Sequence, residues 1–115
     1  IVALELLEHV SNLQYFCELI TNLVKEDGII ILSTINKTLL SKIFVIDIAE
    51  KIFKKIPEGT HHYEKFINPH EIKDIFNNFN FNIKSVKGMN WNPIINNWRL
   101  TNNTSINYIV SLSKK

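Results

Sequence analysis

Apolar residues recur along the chain with two different periods, and their alternation outlines an α/β domain. Ile1 to Leu4 is a short aliphatic run that predicts the end of a buried strand. From Ser11 the spacing changes. Leu13, Phe16, Cys17, Ile20, Leu23 and Val24 fall on one helical face. Ser11, followed three residues later by Gln14, predicts a capping box at the start of that helix. Asp27-Gly28 predicts its end, with Gly28 in the left-handed conformation such a stop uses. Ile29 to Leu32 is an unbroken β-branched and aliphatic run, the pattern of a strand covered on both faces. Helix followed by covered strand is the rhythm of a parallel α/β sheet.

Thr38 to Ile56 predicts a second helix, in which Asp47, Glu50, Lys51, Lys54 and Lys55 form a narrow polar stripe. Leu39, Leu40, Ile43, Phe44, Val45, Ile46, Ile48, Ala49, Ile52, Phe53 and Ile56 make up a broad apolar remainder, and Pro57 and Gly59 end the segment. Asn68 as cap, Pro69 at the first position and Glu71 at the third announce another helix, with Ile72, Ile75, Phe76 and Phe79 on its apolar face. Two strands should follow, one holding Phe81 and Ile83, the other alternating Ile106, Tyr108, Val110 and Leu112. Gly88 to Asn103, with both tryptophans, is expected as a long connection between them.

Composition changes this picture little. A chain of 115 residues with 45% hydrophobic and 21% charged residues can build a core. A formal charge of +2 gives no argument for nucleic acid. The lone Cys17 excludes an internal disulfide and, on an apolar helical face, is expected as a core thiol. No run of about 18 apolar residues is present, so no spanning helix is expected. The chain opens on Ile-Val-Ala inside an apolar run, which is the expectation for a piece of something longer.

The stretch "LELLEHV", Leu4 to Val10, sets Glu5, Glu8 and His9 at i, i+3 and i+4. It lies between the first strand and the helix after it, at the edge where open α/β sheets bind ligands. One reading is a solvated acidic turn with His9 bonded locally. The other is a cation site, since two carboxylates held together repel until a divalent ion joins them; oxygen-rich ligation with one imidazole suits Mg or Mn and also Zn. Spacing alone leaves both open.

"LELLEHV", "GIIILSTINKT", "IPEGTHHYEKFINPHEI", "GMNWNP" and "NYIVSLSKK", in this order along essentially the whole chain, together resemble the ubiquinone-biosynthesis O-methyltransferases. Glu26-Asp27-Gly28 departs from the family's Pro-Gly-Gly, and Trp91 stands where Tyr is common. The resemblance implies the C-terminal half of a Rossmann-like class I methyltransferase fold: strands four to seven with an antiparallel last strand, the last two strands forming an antiparallel edge, and an inserted amphipathic helix. Residues 1–115 would then be part of a single domain, with 38–66 a substrate- and membrane-facing insertion. It implies methyl transfer from S-adenosylmethionine to a polyprenylated catechol or phenol, and a divalent cation, normally Mg, on Glu5, Glu8 and His9. Leu4 would line the methyl donor's site, and His61 of "GTHH" would be a proton acceptor or substrate contact near the substrate mouth. His62 is a weaker candidate, and His70 is expected in solvent.

The donor's glycine-rich turn is missing, because Gly28, Gly59 and Gly88 are scattered. No turnover is therefore expected from this chain alone. Lys42, Lys51, Lys54 and Lys55 beside the broad apolar face give residues 38–56 the character of an interfacial helix, with burial in the core as the alternative. The implied location is cytoplasmic, peripheral at the inner membrane, or on its matrix side in a mitochondrion, with other ubiquinone-biosynthesis enzymes as further partners. Trp91, Asn92, Pro93, Trp98 and Arg99 would either shape a head-group pocket or pack the long connection onto the sheet. A second reading makes the chain a non-catalytic gene remnant that binds membrane or a partner.

Overall fold

Five strands form one mixed sheet in the order β1-β2-β5-β3-β4. In this computed structural model, which describes residues 1–52, 54, 57–92 and 94–115, the strands are β1 (Val2–Leu4), β2 (Ile29–Ile35), β3 (Phe81–Asn92), β4 (Asn97–Thr101) and β5 (Asn107–Lys114). β1 and β2 run parallel, joined by α1 (Leu13–Leu23) as the crossover, while β5 lies antiparallel between β2 and β3. The last strand is thus antiparallel, as expected, but it is interior. The edge is a hairpin formed by β3 and β4.

One face of this sheet carries the core. Ile30 and Leu32 of β2, Tyr108, Val110 and Leu112 of β5 and Phe81 of β3 pack with Cys17 and Ile20 of α1 and with Ile72 and Phe76 of α3 (Pro69–Asn78). Strand alternation at period two and helix spacing at i, i+4 bring these residues to one layer. The opposite face is more open: Val2, Leu4 and Ile29 are exposed, so β2 is not covered on both sides along its whole length.

The helix ends are set by local chemistry. α3 has the predicted capping box, in which Asn68 accepts from the Glu71 backbone amide and the Glu71 carboxylate accepts from the amide of Asn68. α1 is capped by Asn12, whose side chain accepts from the Tyr15 amide, and not by Ser11. The short asparagine reaches the orphan amide directly. α1 also stops at Leu23, before Asp27-Gly28, and Gly28 is absent from the positive-φ residues. Its amide closes a turn on the Lys25 carbonyl instead.

Two regions depart further from expectation. Gly88 to Asn103 is largely strand: Trp91 pairs with Trp98 across the hairpin, their rings 6.5 Å apart and stacked. Gly88 is required there, since a β-carbon would collide with the Asn103 carbonyl. The segment after β2 starts as α2 (Leu39–Ser41), held by a Thr38–Ser41 capping box, and continues as a π-helix over Lys42–Ile52. Its wider winding makes i and i+5 neighbours. Lys42 accordingly pairs with Asp47 at 3.7 Å. Phe53, Lys55, Ile56 and Pro93, named above for the apolar face, polar stripe and head-group pocket, lie outside the described residues.

Candidate functional site

The carboxyl ends of β1 and β2 lie side by side, and the sequence there turns from aliphatic to polar. Leu4 pairs with Ser33, and the next residue, Glu5, adopts a left-handed φ of 50°. This reversal is uncommon for a residue with a β-carbon. It is held by the Glu5 amide, which donates to the Ser33 carbonyl at 3.0 Å and to the Ser33 hydroxyl at 2.9 Å. A 3-10 turn over Leu7–His9 follows.

Two hydroxyls of β2 orient the two carboxylates. Ser33 Oγ donates to Glu5 Oε1 at 2.8 Å, and Thr34 Oγ1 donates to Glu8 Oε2 at 2.7 Å. Glu8 is only 3% exposed, and its Oε1 has no hydrogen-bond partner among the described residues. Loss of water around the Glu5 carboxyl raises its pKa above the usual carboxylate range; neighbouring Glu8 pushes the same way and the Ser33 hydroxyl opposes it.

His61 enters from the far end of the insertion. Glu8, His9 and His61 each offer a donor atom, and these lie within 4.8 Å of one another. The His9 and His61 rings are 5.8 Å apart. Glu5 stands beside Glu8 but outside that mutual group, so the structure gathers two imidazoles and one carboxylate where the sequence motif offers two carboxylates and one imidazole. Desolvation lowers the pKa of His61, against the attraction of Glu50 and Glu8. The shift favours the neutral imidazole, the form that binds protons or metals.

Glu50 was expected on the solvated stripe, and that expectation is corrected. It is 1% exposed, on the inner side of the π-helix. Its Oε1 accepts from the His61 amide at 3.1 Å and lies 4.0 Å from His61 Nδ1. The π winding turns Glu50 inward at a position where a 3.6-residue period assigns it outward. Ser33, Thr34 and Glu50 are the residues of the candidate site that pattern reasoning passed over. Two adjacent hydroxyls ending an aliphatic strand were the available signal for the first two; nothing local marked Glu50.

Of the remaining candidates, Leu4 is half exposed at the end of β1, and His62 and His70 face solvent. Cys17 is a fully buried core thiol, its pKa pushed by burial up to about 12. Trp91 and Trp98 are exposed on the hairpin; Trp91, with Asn90, Ile95 and Arg99, borders an open cleft of about 210 Å³. The two tryptophans pair with each other across the hairpin, and the Trp91 ring N–H donates to Asn96 Oδ1 at 3.0 Å.

No family model matches the chain. Similarity to individual proteins is decisive. Residues of this chain are 43% identical over 114 positions to a ubiquinone biosynthesis O-methyltransferase of Pelagibacter ubique, covering 99% of the chain and 48% of that protein. The mitochondrial proteins of the same name from Dictyostelium discoideum and Rattus norvegicus are 41% and 38% identical over 100% and 94% of the chain. The chain is homologous to the ubiquinone biosynthesis O-methyltransferases. It spans about half the length of the Pelagibacter relative and 36% and 31% of the other two. The five-stranded mixed sheet is consistent with the C-terminal half of a class I methyltransferase fold.

Proposed function

We propose that this chain forms part of an S-adenosylmethionine-dependent O-methyltransferase that acts on a polyprenylated catechol or phenol in ubiquinone biosynthesis. The observation that carries the reading is an acid–imidazole cluster around the buried Glu8 at the sheet's ligand edge, in a chain homologous along its whole length to proteins of that name. Leu4, at the end of β1, borders the donor site. The chain supplies one wall of that site, and the proposal concerns the protein at its full native length.

The donor set fits a divalent cation, because Glu8 Oε1 is buried without a hydrogen-bond partner among the described residues and donor atoms of Glu8, His9 and His61 lie within 4.8 Å of one another. Glu8 and His9 would hold the cation, with Glu5 adding negative charge beside them. Adding His61 to the set favours Mn or Zn over Mg, since imidazole suits the softer ions. A cation bound there supplies Lewis acidity that lowers the pKa of a phenol group presented to it. Thr34 and Ser33 orient the two carboxylates throughout, and His61 stands beside them.

Residues 38–56 are proposed to lie against the membrane that holds the prenyl substrate, which makes the protein peripheral at the inner membrane. Leu39, Leu40, Phe44 and Ile52 are exposed, with Lys42, Lys51 and Lys54 close to them in sequence. No helix among the described residues is long and apolar enough to cross a membrane.

The test is methyl transfer by the full-length protein, from labelled S-adenosylmethionine to a short-chain prenyl catechol, with and without chelator. The expected outcome is a methylated ring oxygen, lost on chelation and restored by Mn or Mg. No transfer with metal present would refute the activity, and transfer indifferent to the chelator would refute the cation's part in it.

A further inference from the structure

Three buried polar atoms lack hydrogen-bond partners among the described residues: Glu8 Oε1, Glu50 Oε2 and His61 Nδ1. All three belong to one cluster that joins two separate pieces of chain. Leaving such atoms unpartnered is costly, so their convergence needs a reason. Closing Glu50 onto His61 Nδ1 leaves Glu8 Oε1 bare. A cation taken by Glu8 and by the other ring nitrogen of His61 answers for Glu8 Oε1 and lets Nδ1 keep Glu50 as its partner.

We propose that His61 ligates the same cation as Glu8 and His9, that Glu50 is its positioning residue, and that cation uptake clasps the 38–66 insertion to the turn after β1. The inference rests on the reading that this site takes a cation. A ligating histidine commonly turns its other ring nitrogen to a carboxylate, which fixes the ring. Glu50 stands where such a carboxylate belongs, since it already receives the His61 amide and lies 4.0 Å from Nδ1. At that distance the side-chain bond is not yet made. Cation uptake draws the ring inward and completes it. Because Glu50 sits on the π-helix, the site then holds that helix as well.

Mn²⁺ titration followed by electron paramagnetic resonance, on the protein at full native length, tests this. Wild type should bind at one site, and Glu8→Ala should abolish binding. Glu50→Gln should weaken binding by about 10–100-fold, the range seen for such outer partners, and His61→Ala by at least as much. A circular-dichroism melt accompanies each variant; should His61→Ala fail to fold, His61→Gln and the wild-type exchange measurement carry the test. In wild type, Mn²⁺ should slow amide hydrogen exchange across 42–52. No Mn²⁺ uptake by wild type overturns the cation site itself. Uptake as tight in the His61 and Glu50 variants overturns the inference and leaves the site standing, as does exchange in 42–52 unmoved by Mn²⁺.

Discussion

The two halves of the candidate site are built by different physics. The turn after β1 hangs from the sheet: a parallel strand pair, two bonds from the Glu5 amide to the carbonyl and hydroxyl of Ser33 and two hydroxyl–carboxylate bonds hold Glu5 and Glu8 in place. The insertion, in its described residues, is helix and turn. Its α2 and π-helix leave Leu39, Phe44 and Ile52 exposed and turn a carboxylate inward. What the difference teaches is that the sheet-borne half is preformed by packing, whereas the insertion's inner contacts centre on Glu50 and His61. Polar chemistry ties the insertion to the sheet.

Cutting a residue from each region gives the widest contrast. Phe76→Ala in the core should cost about 3–5 kcal/mol of stability. Phe44→Ala, at an exposed position, should stay within about 0.5 kcal/mol. Chemical denaturation of the full-length protein measures both, and equal losses would erase the distinction between the regions.

Next in size is Thr34→Val, which removes the donor to Glu8 Oε2 and leaves a second bare oxygen on a buried carboxylate. It should cost about 1–3 kcal/mol and weaken cation uptake in parallel. Smaller still is Glu50→Gln in cation-free protein. An uncompensated buried carboxylate is costly, so the amide should leave the melting temperature unchanged or slightly raised. A clear fall would show that Glu50 stabilises the fold without any ion.

The smallest effect is a rate. Burial holds the pKa of the Cys17 thiol up to about 12, so at pH 8 it stays protonated in the folded state and regains its ordinary acidity once unfolded. Labelling by a thiol reagent should therefore track unfolding of the sheet core. Rapid labelling under native conditions would contradict the packing of α1.

What could be read in advance follows the same division. α3 was legible because Asn68, Pro69 and Glu71 act within four residues, and β5 because a half-buried strand writes its period into Tyr108, Val110 and Leu112. The hairpin was missed because its register depends on Trp91 meeting Trp98, a pairing no local period encodes. Glu50 was misplaced because the helical period assumed for 38–56 is not the winding this segment adopts. Glu5, Glu8 and His9 were visible as a motif, while His61 could reach them only through the fold. The acidic turn and the glycine–histidine segment lie far apart in sequence, and folding alone makes them one site.

The most direct measurement is electron spin echo modulation of Mn²⁺ bound to the full-length protein, which counts imidazole nitrogens at the ion. Two inequivalent histidine couplings are predicted, with one lost in His61→Ala. A single coupling in wild type, unaffected by that substitution, would contradict the account.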